Sequence, residues 1–148
     1  MKTRDGEWQL LEISIDRHTA RVNLNRPPVN ALNQALIAEL TAAARSLGKR
    51  REVWVVALTA SGMTFCAGAD LKERAGIPQR QVGSVIKNIQ RMVAAWMKVE
   101  QPVIAGIQGA ALGVAMPDSP KPLLDAARHV ANEGLAQFVT DLTAGKWD

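Results

Sequence analysis

Between Trp8 and Ile15 the chain alternates, with Gln9, Leu11, Ile13 and Ile15 on one side and Trp8, Leu10, Glu12 and Ser14 on the other. A second alternating run, Thr19 to Leu24, follows Asp16-Arg17-His18. A period of two sends successive side chains to opposite faces of a strand, so the two runs predict a β-hairpin. Arg26-Pro27-Pro28 ends the second strand, because consecutive prolines supply no amide donors and force extended backbone before them. From Asn30 to Leu47 the period changes. Leu32, Leu36, Ile37, Leu40, Ala43, Ala44 and Leu47 recur at helical spacing, with Asn30 placed to cap the start and Gly48 to end it.

Val53 to Thr59 is a short apolar run without polar alternation, which suits a strand buried on both faces of a sheet covered by helices. Ala60 to Ala69, holding Gly62 and Gly68, reads as a loop. A second helix is expected from Arg80 to Val99, where Val82, Val85, Ile86, Ile89, Met92, Val93, Trp96 and Met97 stand three and four apart and Pro102 follows. Trp54, Trp96 and Met97 fit core positions. Pro102 to Ile107 is another short strand, and Gln108 to Gly113 a tight turn into a new helix. The order β-β-α-β-α-β-α implies an α/β layered domain with right-handed crossovers.

After Met116 the character changes. Pro117 to Pro122 holds three prolines, and 123–148 reads as a helical tail whose apolar stripe (Leu124, Ala127, Val130, Leu135, Phe138, Leu142) must pack on the domain or on a partner. The expected organisation is therefore a core over 1–116, a proline-rich break over 117–122 and the tail over 123–148.

Composition narrows the classes. With 148 residues, 47% hydrophobic and 22% charged, the chain is in the range of one globular domain with a real core. Eighteen Lys and Arg against fourteen Asp and Glu give +4, an excess that reads as spread out. Its densest cluster, Lys49-Arg50-Arg51, is read as a solvated helix end, and no nucleic-acid partner is expected. The single cysteine, Cys66, precludes an internal disulfide. The N-terminus lacks a signal-peptide pattern, and no run reaches the roughly 18 to 20 apolar residues that cross a bilayer. A cytoplasmic protein without a membrane span is expected. His18 and His129 have no ligand-spaced partner, so no metal site is expected.

The most informative segment is Thr64-Phe65-Cys66-Ala67-Gly68-Ala69-Asp70-Leu71-Lys72-Glu73. Small side chains after a buried strand leave backbone N–H groups open, and a thioester enolate needs such donors to hold its oxygen. Cys66 beside Phe65 reads as a small buried residue, not a nucleophile, since no histidine is near it in sequence. Asp70 is placed either to serve the site or simply to cap a helix.

Three runs, in order, carry a resemblance. Arg-Pro-Pro-Val-Asn-Ala-Leu-Asn at 26–33, Cys-Ala-Gly-Ala-Asp-Leu-Lys-Glu at 66–73 and Gln-Pro-Val-Ile-Ala-Gly-Ile-Gln-Gly-Ala-Ala-Leu-Gly at 101–113 resemble the N-terminal half of an enoyl-CoA hydratase/isomerase (crotonase) protein. The resemblance implies a truncated, crotonase-like ββα spiral core of α/β class with a helical C-terminal tail. The ligand it implies is an acyl-CoA thioester of fatty acid metabolism, with no cofactor beyond the coenzyme A carried by the substrate. The implied oxyanion donors are the backbone amides of Ala69 and Val114. Pro28, Val29, Ala31, Ala67, Gly68, Asp70 and Leu71 are the implied groove for CoA.

The sequence also departs from the family pattern. The family's second donor is a glycine within Leu-Gly-Gly-Gly, which here reads Leu112-Gly113-Val114-Ala115, so an isopropyl group stands where close approach favours glycine. Hydration needs two carboxylates to activate water and deliver a proton, about twenty residues apart in the family. The first position falls on Pro117, Asp118 is a poor replacement, and Glu133 lacks the surrounding family motif. Lyase or isomerase activity is thus implied by resemblance while the catalytic Glu positions are not filled. The other expectation is a non-catalytic oligomerisation subunit, associating with itself or with a full-length relative to cover open strand edges.

Overall fold

The computed structural model describes residues 3–4 and 8–112. The tail expected over 123–148, the break over 117–122, Val114, Pro117, Asp118, Glu133 and His129 lie outside the described residues. Strand β1 (Thr3–Arg4) pairs antiparallel with β2 (Leu11–Asp16), which forms the expected hairpin with β3 (Thr19–Leu24). Leu11, Ile13 and Ile15 are buried on one face of β2 while Glu12 and Asp16 are exposed, so the period-two pattern reports the core side directly. Two parallel strands follow, β4 (Val55–Ala60) beside β3 and β5 (Val103–Ala105) beside β4. The five strands thus lie in chain order across one sheet.

Helix α1 (Gln34–Leu47) crosses from β3 to β4. It buries Leu36, Ile37, Leu40, Ala43, Ala44 and Leu47, the positions expected from the helical period. Full burial of each large aliphatic side chain contributes about 1.5–3 kcal/mol, so this face dominates the stability of the layer. After the short helix α2 (Leu71–Ala75), helix α3 (Gln79–Met97) packs on α1 and buries only Ile89 and Met92, which join the core cluster with Val22 and Val56.

Several expectations are corrected. The cap of α1 is Asn33, whose side chain accepts from the Leu36 N–H at 2.9 Å. Asn30 instead stands three residues earlier with φ of 51°, fully buried. Strand β4 is not enclosed on both faces among the described residues: Val56 is buried and its neighbours are half-buried. Trp54 is 65% exposed because Val53, 2% exposed, takes the core side just before the strand. The indole stacks instead on His18 at the hairpin tip, with ring centroids 3.7 Å apart. Met97, the last residue of α3, is also exposed, whereas Trp96 is half-buried against the core.

Candidate functional site

Past the ends of the parallel strands, three loop segments run side by side in the same order as the strands they extend. On one side of the 65–70 segment, Ala67 N–H donates to Val29 O, Leu32 N–H to Gly68 O and Asp70 N–H to Leu32 O. On the other, Phe65 N–H donates to Gln108 O, Cys66 N–H to Ala110 O and Leu112 N–H to Cys66 O. The central segment therefore bridges in parallel to both neighbours, Leu32 to Ala69 and Cys66 to Ala111. All three runs singled out in the sequence meet here.

A polar clamp fixes the first loop to the second. The Asn30 side chain accepts from the Arg26 N–H at 2.8 Å and donates through Nδ2 to the carbonyls of Ser61 and Thr64, at 2.9 and 2.8 Å. Its left-handed backbone is one that asparagine tolerates better than most residues, and the three bonds satisfy an amide that is otherwise costly to bury. Arg26 reaches across the same junction, donating to Ala31 O at 2.9 Å and pairing with Asp70 at 2.6 Å. Asp70 also caps the short helix α2 (Leu71–Ala75) by accepting from the Lys72 and Glu73 N–H groups, each at 3.0 Å. The bond from Glu73 N–H, then the Arg26 guanidinium, hold the Asp70 carboxyl below the usual carboxylate range. Asp70 is thus a helix cap, one of the two roles considered for it, and it also ties two loops together.

Glycine is required at two points. Gly68 turns with φ of 84°, and its N–H donates to the Cys66 sulfur at 3.4 Å. Gly109 has φ of 58°, and a Cβ there would overlap the Met63 carbonyl, so the third loop can approach the second only without a side chain. Gln108 secures that approach by donating to the carbonyls of Ala60 and Gly62. Burial pushes the Cys66 thiol up, with the Gly68 N–H opposing, so it stays protonated at neutral pH.

The parallel bridge at Leu32 uses the peptide groups on either side of Ala69, so the N–H of Ala69 itself is directed away from Leu32. It makes no hydrogen bond among the described residues. Around it the candidate groove residues Ala31 and Ala67 are half-buried, Gly68 is buried, and Pro28, Val29 and Leu71 are exposed. Met63 and Leu112, at 89% and 60% exposure, extend this apolar rim. Val114, the other donor named from the sequence, lies outside the described residues. The sequence reading gave Arg26, Gln108 and Gly109 no role at this site and took Asn30 only as a helix cap. Two prolines and a valine just ahead of the asparagine were the available signal for Asn30, while the Arg26 to Asp70 pair spans 44 residues and left none. Among the described residues, no group of acidic, His or Cys side chains could hold a metal ion, and no helix is long and apolar enough to cross a membrane.

A family model described as enoyl-CoA hydratase/isomerase matches residues 14–116. YngF of Bacillus subtilis (strain 168), which carries that same description, is 40% identical over 100 residues, covering 66% of this chain and 38% of its own length. EchA17 of Mycobacterium tuberculosis, named as an enoyl-CoA hydratase, is 30% identical over 132 residues, 89% of this chain and 49% of its own. Among solved structures, an enoyl-CoA hydratase from Bacillus anthracis is 36% identical with a TM-score of 0.65, covering 68% of this chain and 40% of that one. An enoyl-CoA hydratase/carnithine racemase from Magnetospirillum magneticum is 27% identical with a TM-score of 0.68, covering 76% and 42%. The chain thus spans half or less of the length of these relatives.

Proposed function

Given that the chain belongs to the enoyl-CoA hydratase/isomerase family, we propose that its loop cluster binds an acyl-CoA thioester and holds the thioester oxygen on the Ala69 N–H. The observation that carries this reading is that amide, open in a loop bonded on both sides. A donor fixed before the ligand arrives needs no reorganisation as charge builds on the oxygen. Donors of this type are worth about 3–4 kcal/mol of transition-state stabilisation each. The Val114 amide would be the second donor, crowded by its own isopropyl group. Pro28, Val29, Ala31, Ala67, Gly68 and Leu71 would line the groove for pantetheine and nucleotide, with Asp70 fixing the loop that carries Ala69.

Enolate stabilisation and hydration make different demands. The amides suffice for the first, but the second needs carboxylates beside the bound thioester. With proline at 117 the chain lacks the first of these, so hydratase turnover falls far below that of a hydratase with both carboxylates. Calorimetric titration of the purified chain with crotonyl-CoA tests the reading. A saturable isotherm without continuing heat supports it, and sustained heat from hydration overturns the loss of turnover.

A second reading, a non-catalytic subunit that associates with itself or a full-length relative, is favoured by a different observation. Strand β5 pairs only with β4 among the described residues, and Val103 on it and Ile107 just beyond are both exposed. No heat from a folded chain in the same titration would favour it.

A further inference from the structure

Charge is less evenly distributed than the sequence suggests. Helix α3 contains no acidic residue, and the only one in α1 is Glu39. That carboxylate accepts from the backbone N–H groups of Gln9 and Leu10, at 3.0 Å each, and so is spent on the N-terminal segment. Arg45 of α1 and Arg91 of α3 line the groove between the two helices, with Lys49 and Lys98 just past the helix ends. Two contiguous openings of about 330 and 440 Å³, sharing Arg45 and Arg91, make up this groove, and among the described residues no carboxylate lines either.

The groove has a helical repeat. Along α1 the lining includes Ala38, Ala42, Arg45 and, just past the helix end, Lys49, at steps of four, three and four. Along α3 the lining includes Asn88, Arg91, Ala95 and, just past the helix end, Lys98, at steps of three, four and three. Alternating steps of three and four on two adjacent helices form the seam into which a third helix settles. Alanines in the floor let its backbone come close, while the paired cations at the upper levels demand acidic neighbours. At the other end the Gln34 Nε2 is buried without a hydrogen-bond partner, a donor lacking an acceptor. From Ala38 to Lys49 the seam runs about 16 Å, three helical turns. Among the described residues no aromatic ring lines it, so nucleic-acid bases find no platform there on which to stack.

We propose that the groove between α1 and α3 docks an acidic amphipathic helix of a partner protein, with alanine or leucine seated on Ala38, Ala42 and Ala95 and glutamates flanking them against Arg45, Arg91, Lys49 and Lys98. This surface is separate from the loop cluster, so the proposal does not depend on thioester binding.

The test is fluorescence anisotropy of the full chain with a labelled synthetic amphipathic helix carrying Leu and Ala on one face and Glu on its flanks. The expected result is saturable binding that weakens with added salt and falls at least about tenfold in the Arg45→Glu, Arg91→Glu double variant. The Arg21→Glu, Arg51→Glu pair makes the same change in net charge away from the groove and should leave affinity within about twofold. Thermal melts of both variants confirm that they fold. Absent binding, or equal loss in both pairs, overturns the proposal. So does tighter binding of single-stranded oligothymidylate with the same arginine dependence, or a dimer of the chain itself that the Arg45 and Arg91 changes dissolve.

Discussion

The α1 face and the loop clamp are built of opposite materials. Leu36, Ile37, Leu40 and Leu47 hold helix to sheet by burial alone, an interaction that has no preferred direction. Asn30, Arg26 and Asp70 hold two loops together by short directional bonds among polar groups. The first region sets whether the chain folds, and the second sets where a few backbone amides point. A protein that binds through its main chain needs both.

Substitutions separate the two contributions. The largest loss is expected from Leu36→Ala, which opens a cavity under a fully buried side chain. It should cost about 2–5 kcal/mol in urea or thermal unfolding while leaving crotonyl-CoA affinity unchanged in the remaining folded protein. Asn30→Ala strands the partly buried carbonyls of Ser61 and Thr64 and should cost about 1–3 kcal/mol. Here the affinity for crotonyl-CoA should fall as well, and an unaltered isotherm would mean that the clamp does not position the Ala69 loop.

Asp70→Asn sharpens the comparison through pH. Because the folded-state carboxyl titrates below its unfolded value, its contribution is fully present above about pH 4 and is lost as pH falls through the lowered folded value. The variant should therefore be less stable at neutral pH and lose less stability on acidification than the parent, read from melts across the acid range. The smallest change is expected from Trp54→Ala, within about 0.5 kcal/mol, since the exposed indole gives up only its stack on His18. A large effect would mean that residues outside those described pack on it.

Much of the apolar half was legible in the sequence. Period two gave the hairpin, and steps of three and four gave the buried face of α1, because burial leaves its mark at every repeat. The start of α1 was misplaced because Asn30 and Asn33 both suit a cap. What distinguishes them is a set of bonds from Asn30 to carbonyls 31 and 34 residues away. Trp54 was misread for a related reason: an apolar residue beside a strand has the same composition whether it faces in or out. The loop of small residues at 66–70 was singled out by its small side chains and given its meaning by the family resemblance, whereas the Arg26 to Asp70 pair that fixes it was not found.

The open amide of Ala69 also makes the loop a natural reporter. In hydrogen–deuterium exchange, the neighbouring N–H groups of Ala67 and Asp70 are tied to Val29 and Leu32 and should exchange slowly, with Ala69 a fast-exchanging position between them. A ligand that takes up that donor should close the gap, so a single peptide's rate of deuterium uptake would register occupancy without any turnover.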